Sequence, residues 1–272
     1  MYPDYLMHYG IKGQKWGVRR YQKLEGGRTE EGKKRYRRIS KDPSTKKIFK
    51  KAQAEVIKRL SNKPKPFKVK PIDLEAVIKR CGISGKEALK RNKEAKDIFD
   101  RAVRIEPGIT KDVISAVKAS CGKMYGLENR LKQPESIAAK LGAGKSINDA
   151  IRYTSVTDDE HYYQAYRTTR DILESKGYTE TRCKNYFRAF REKKAKHKQV
   201  TCNYADRNGN QFEIQYQTVA SQAAKELKTP IYEERRQAGL TEERKAKLES
   251  KMVRLAKHVP NPSNVFRIKS HG

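Results

Sequence analysis

Val200 to Thr218 reads VTCNYADRNGNQFEIQYQT, and this stretch decides the fold. Asn208-Gly209 sits between two runs of strand-forming residues and is a strong hairpin signal, because glycine takes the positive φ that a tight turn needs. The spacing predicts strands over Val200–Ala205 and Gln211–Thr218. In the second, Phe212, Ile214 and Tyr216 alternate with Glu213, Gln215 and Gln217. Successive side chains of a strand point to opposite faces, so the three apolar residues face a core and Glu213 stands among glutamines on the other side. Such residues are poor strand formers on a merely solvated surface. A polar face that floors a cleft accounts for them.

Working upstream, strands are expected at Tyr178–Phe187, Ile151–Val156 and Met124–Lys132. Between them, Pro134 suits a first helical position, for a helix running to Leu141. Thr157 with Glu160 has the spacing of a capping box, and Gly177 suits the left-handed position that ends that helix. Downstream, a helix starting near Thr241 presents Leu248, Met252, Leu255 and Val259 on one side. Residues 123–259 therefore read as an α+β domain. Before it, residues 73–122 read as helical. Ser84 and Glu87 form a capping box, Leu89, Ile98, Phe99, Ala102 and Val103 an apolar stripe, and Pro107-Gly108 a break before a helix restarting at Thr110. Ser44 is expected to cap a helix over 44–60 in which Ile48, Phe49, Ala52, Val56, Ile57 and Leu60 share a face. Residues 61–72, opening SNKPKPFKVKP, form a proline-spaced linker. Residues 1–43 are a basic, glycine-rich and flexible segment, and 260–272 a tail.

The chain of 272 residues carries 63 Lys and Arg against 32 Asp and Glu, a formal charge of +31. A surplus of this size repels itself unless counter-charge is supplied, and phosphate is the usual supplier. Nucleotides or nucleic acid are the expected partners. No apolar run of about 18 residues is present, so no membrane partner is expected. The N-terminus lacks a basic flank followed by an apolar stretch, so no secretory signal is read there. Cys81, Cys121, Cys183 and Cys202 contain no CxxC pair, which gives structural zinc or a disulfide framework no support. A reduced cytoplasm is the expected compartment.

Candidate chemistry gathers in three places. Arg130, Lys132, Ser136 and Lys140 put three cations and a hydroxyl at a strand–helix junction. There the free N–H groups of a helix start and converging cations suit a triphosphate. Asp149 stands just before a strand, where a magnesium ligand is often held, and Glu213 stands on the polar sheet face. All but the Ser136 hydroxyl are expected to converge on one cleft. Gly142 to Ser146, GAGKS, is not a P-loop: the first glycine of GxxxxGK[ST] falls on Ala139, and a helix rather than a strand precedes it.

Two resemblances follow. His8 to Gln22, HYGIKGQKWGVRRYQ, is similar to a short N-terminal motif of proteins from phages of Gram-positive bacteria. From about Gly126 to Arg236 the chain resembles the synthetase domain of the RelA/SpoT alarmone family and its toxin relatives. The family's RxKxxxSxxxK element falls on Arg130, Lys132, Ser136 and Lys140, its aspartate on Asp149, and its EIQxxT strand on Glu213 to Thr218. The segment KELKTPIYEERR, Lys225 to Arg236, is similar to phage-associated proteins with such a domain. Three elements depart from the family. DxxGxR becomes Asp149-Ala-Ile-Arg152-Tyr-Thr, GYxxxH is at best His197-Lys198 to Cys202, and Gln217 replaces a basic residue. The resemblance implies a nucleotidyltransferase-like mixed sheet and transfer of pyrophosphate from ATP to a ribose hydroxyl of a nucleotide or of the tRNA 3′ end. Arg130, Lys132, Ser136 and Lys140 would bind the donor phosphates. Asp149 and Glu213 would hold Mg2+ and act catalytically, and His197 and Lys198 would meet the acceptor. The host cytoplasm would be the setting. The other reading is a non-catalytic phage protein that binds nucleic acid, associated with the virion and its capsid components.

Overall fold

The computed structural model of the chain describes residues 43–62, 66–69, 73, 75, 77, 78, 83–236 and 239–272. Two units divide it, Met1–Ile48 and Phe49–Gly272. The described part of the first is the opening of helix α1 (Pro43–Ser61). The flexible segment expected at the N-terminus lies almost wholly outside the described residues, as does half of the linker. After the rest of α1, the second unit carries helix α2 (Gly85–Ala119), strand β1 (Lys123–Met124), helix α3 (Pro134–Gly142) and strand β2 (Arg152–Val156). Then follow α4 (Tyr162–Ser175), β3 (Thr179–Asn185), α5 (Tyr186–Arg191), β4 (Val200–Ala205), β5 (Gln211–Gln217), α6 (Val219–Arg235) and α7 (Glu242–Lys257). The architecture is α+β, with a mixed five-stranded sheet in the order β1-β2-β5-β4-β3. β2 and β5 run parallel, and the other neighbours run antiparallel.

The β4–β5 hairpin forms where its turn residues predict. The Asp206 carboxylate accepts the backbone N–H groups of Asn208 and Asn210 at 2.8 and 2.9 Å, and Gly209 takes φ +76°. Phe212, Ile214 and Tyr216 are buried, as are Val200, Cys202 and Tyr204 on β4, Tyr153 on β2 and Cys183 on β3. They join one core with Phe99, Val113 and Val117 of α2 and Tyr162, Tyr166 and Leu173 of α4. Aromatic edges meet faces there, with ring centroids 5.4 Å apart for Tyr166–Tyr216 and 5.2 Å for Tyr178–Phe212. This geometry adds to the burial of apolar area. The alternate residues of the same strands, Arg152, Glu213, Asn203 and Arg182, are left to the other face.

Several elements differ from the sequence expectation. Met124–Lys132 is not one strand. β1 ends at Met124, Gly126 turns at φ +61°, and a 3-10 helix covers Leu127–Asn129. Arg130 itself has helical backbone angles, which resets the strand alternation and separates its side chain from that of Lys132. Pro107 does not break its helix: α2 runs 35 residues through it. The proline costs one backbone hydrogen bond, and a face buried on both sides of it, from Ala88 to Val117, offsets the loss. The buried stripe of α2 omits Leu89 and Val103, which are exposed, as is Ile57 on α1. α4 starts at Tyr162, four residues after the Asp158 side chain has taken the N–H groups of Glu160 and His161, so Thr157 does not cap it. Residues 260–272 are more than a tail, because Val265 and Ile268 are buried in the core.

Pro107 is exposed. Pro107→Ala restores the missing N–H and should stabilise the fold by about 2 kcal/mol, the helix gain being reduced by the greater freedom of the unfolded chain. Thermal melting checks this, and a lower Tm would mean that the proline bend is required by the packing of α2.

Candidate functional site

The parallel register sets Arg152 opposite Glu213. Antiparallel pairing sets Glu213 opposite Asn203 and Asn203 opposite Arg182. One lateral row therefore crosses four strands as Arg152, Glu213, Asn203, Arg182. Paired residues share a face, so a single carboxylate stands between two guanidinium groups on the polar side of the sheet. Above this row opens a cleft of about 410 Å³ lined by Asp149, Glu213, Lys140, Lys145, Asn148, Arg182 and Asn203, with Gly144 and Ser146.

Asp149 precedes β2 and is held from two elements. One carboxylate oxygen accepts Lys132 Nζ at 2.6 Å and the other Lys140 Nζ, from α3, at 3.0 Å. Burial acts to raise its carboxyl, but Lys132 and then Lys140 outweigh it, leaving Asp149 below its ordinary value. Glu213 behaves oppositely. Burial pushes it up and the negative charge of Asp149 adds to that, against an amide hydrogen bond of 2.6 Å from Gln215, Arg152 and Lys225. Two carboxylates on one cleft are thus driven apart in acidity.

The remaining expected site residues divide. Lys140 lines the cleft, and Lys132 reaches it through Asp149. Arg130 does not join them. It turns to α2, where Nε meets the buried Glu106 carboxylate at 2.5 Å and Nη1 the Leu127 carbonyl at 3.1 Å. Glu106 also accepts from the Thr110 hydroxyl, which lies 2.7 Å from the Tyr153 hydroxyl on the helix side of β2. Ser136 is half-buried in the first turn of α3 and does not line the cleft. His197 and Lys198 diverge. The His197 ring stacks at a tilt on Tyr186, centroids 4.2 Å apart, whereas Lys198 donates to the Val259 carbonyl at 2.6 Å and covers the Phe190 ring. Lys198 is therefore tied to the segment after α7.

Sequence reasoning missed Arg182 and Asn203, whose signal is cross-strand register and not any motif. It also set aside Arg152 as a displaced family arginine. The GAGKS segment, rejected as a P-loop, contributes Lys145 and Ser146 to the cleft all the same. It follows the C-terminal end of α3, where carbonyls and not N–H groups are free. Lys225 and Lys228 on α6 were missed too. Lys225 donates to the Gln215 side chain, and among the described residues no carboxylate lies in ion-pair contact with Lys228. Burial lowers Lys225 to about 8. Burial and then the Lys225 charge lower Lys228 to about 7. Burial, Lys228 and Lys225 bring His197 down to about 4.

Residues 2–23 match a family of unknown function, DUF7211, in a segment outside the described residues that contains none of the cleft. No curated protein matches the chain. Among the described residues, no helix is long and apolar enough to cross a membrane.

A lysine whose folded pKa lies below its unfolded value binds fewer protons when folded, so its penalty is present at low pH and is relieved as pH rises between the two values. For Lys228 these are about 7 and 10.5, and for Lys225 about 8 and 10.5. Denaturant unfolding should show stability rising between about pH 7 and pH 8, below the range where ionisation of unfolded cysteine and tyrosine acts in the opposite sense. Lys228→Met keeps the stem, should raise stability at neutral pH and should flatten that rise. A fall in stability across the window would contradict the assignment.

Proposed function

We propose that the chain is a RelA/SpoT-like pyrophosphokinase built on a nucleotidyltransferase-like sheet. It would move pyrophosphate from ATP to a ribose hydroxyl of a nucleotide or of a tRNA 3′ end. The observation that carries this reading is that Asp149 and Glu213 line one cleft, with Lys132 and Lys140 held on Asp149. Carboxylates on opposite sheet faces would have removed the basis for catalysis.

The donor set suits magnesium: two hard carboxylate oxygens beside a space for phosphates, the remaining positions being taken by water and substrate. In the resting protein Lys132 and Lys140 neutralise Asp149. A bound triphosphate would offer both ammonium groups a better anion, and Asp149 would then be able to help hold the metal. The metal would offset charge developing on the transferred group. Glu213, raised by burial, would orient the acceptor hydroxyl and take its proton, since a base works best with its pKa moved toward the working pH. The hydroxyl oxygen bonds to the β-phosphorus of ATP, the bond from that phosphorus to the bridging oxygen breaks, and AMP leaves. Arg152 and Arg182 flank Glu213 and supply fixed positive charge around the transferred phosphates. Arg130 falls outside this proposal, because its guanidinium is committed to Glu106.

Glu213→Gln keeps the shape and the bond to Gln215 but removes the charge. It should lower transfer by roughly a hundredfold or more while leaving ATP binding nearly intact. Labelled ATP with Mg2+ and either nucleotides or deacylated tRNA is the assay. Full activity in the variant, or no turnover by wild type with any acceptor, counts against the enzyme.

A second reading is favoured by the charge of +31 and by Lys225, Lys228 and His197 crowding beside the cleft, with no carboxylate paired to Lys228 among the described residues. It is a non-catalytic phage protein that binds nucleic acid through phosphate, in the host cytoplasm or in the virion. Its affinity should fall steeply and log-linearly with salt, because neutralised phosphates release counterions. A flat salt response in filter binding excludes it.

A further inference from the structure

On the helix side of the sheet lies a pair of thiols that the proposed transfer does not use. Cys183 of β3 and Cys202 of β4 are direct cross-strand partners, both fully buried, and their Sγ atoms are 2.8 Å apart. Cys183 sends its N–H and C=O away from β4, to the backbone of His271, at 2.9 Å each. A strand residue directs both groups to one side, so toward Cys202 the pair is non-hydrogen-bonded. In such pairs the Cα atoms stand about 4.5 Å apart and the side chains are closest. That separation falls within the range of about 4.4–6.8 Å that a disulfide accepts.

The same neighbourhood contains Glu180, and the ligand atoms of Glu180, Cys183 and Cys202 lie within 4.8 Å of one another. A metal is the poorer fit. The Glu180 oxygens already accept from the Tyr166 and Tyr204 hydroxyls at 3.0 and 2.8 Å, and His271 Nε2 adds a contact at 2.9 Å. Two thiolates on one tetrahedral zinc stand about 3.7 Å apart, from a Zn–S bond of about 2.3 Å, which is wider than this pair.

We infer that Cys183 and Cys202 are a disulfide-forming site, closed by exchange with a small-molecule disulfide of the glutathione type when local opening of the chain exposes the pair. One cysteine thiolate attacks a sulfur of the external disulfide and expels one thiolate. The other protein thiolate attacks the protein-bound sulfur of the mixed disulfide and expels the second. The two protein thiols give up two protons and two electrons, and the external disulfide becomes two thiols. Burial, reinforced by Cys183 and Glu180, holds the Cys202 thiol well above its ordinary value. The thiolate is therefore scarce at neutral pH, and closure accelerates as pH rises. Arg182 and Asn203, the adjoining residues on the two strands, project into the cleft, so closure fixes the spacing of its wall.

The test uses the full-length chain as C81S/C121S, which removes the other two cysteines, alongside wild type. Both are equilibrated in oxidised and reduced glutathione of stepped ratio at about pH 8.5, where the thiolate fraction is larger than at neutral pH, then alkylated and mapped without reduction. The expected result is a peptide pair joining positions 183 and 202 with the loss of two hydrogens, and a Tm higher by about 5 °C or more that dithiothreitol reverses. Three results overturn the inference: both thiols recovered reduced at every ratio, glutathione adducts that do not close, or stoichiometric zinc uptake that protects both thiols. Wild type supplies the same linkage map if the substituted chain folds poorly.

Discussion

A parallel strand pair cannot be closed by a hairpin, and this constraint organises the molecule. β2 and β5 lie side by side in the sheet, yet everything from Thr157 to Asn210 runs between them. That connection must leave the sheet, return through α4, lay down β3 and β4 on the far side of β5, and only then enter β5. Once Arg152 is opposite Glu213, all the faces follow. Tyr153 and Ile214 go to the helices, and Arg152 and Glu213 go to the opposite, polar face. A one-residue slip would exchange the two sets, placing a guanidinium and a carboxylate in the aromatic core.

The legibility of each element follows from how local its determinants are. The hairpin was readable because its turn chemistry and its alternation lie within nineteen consecutive residues, Val200 to Thr218. The end of α4 at Gly177, which takes φ +88°, was readable for the same reason. Pro107 misled because its cost is local, whereas the burial that overrides it is spread over the whole length of α2. The strand expected at Met124–Lys132 failed because a single left-handed glycine, Gly126, turns the chain before the alternation can continue.

The cleft divides along the same line. Asp149, Glu213, Lys132 and Lys140 could be named from the sequence: Asp149 and Lys132 sit at element boundaries, Glu213 in a strict alternation, and Lys140 one turn after Ser136 on α3. Arg130 could not be placed, because its partner Glu106 lies 24 residues away on α2 and competes successfully for the guanidinium. Arg182 and Asn203 are invisible to any motif; they become neighbours of Glu213 only when three strands are in register. Cys183 and Cys202, without a CxxC spacing, were hidden in the same way.

The segment around His271 has a meaning beyond its own packing. β3 is the last strand of the sheet, and such a strand offers its unpaired backbone to any passing chain. Here both backbone groups of Cys183 are taken by His271, the N–H of Asn185 by the Ser270 hydroxyl, and the Asn185 amide by the Val265 and Ile268 carbonyls. The stitched border of β3 then acts as a guard against strand addition between molecules, the first step toward aggregation.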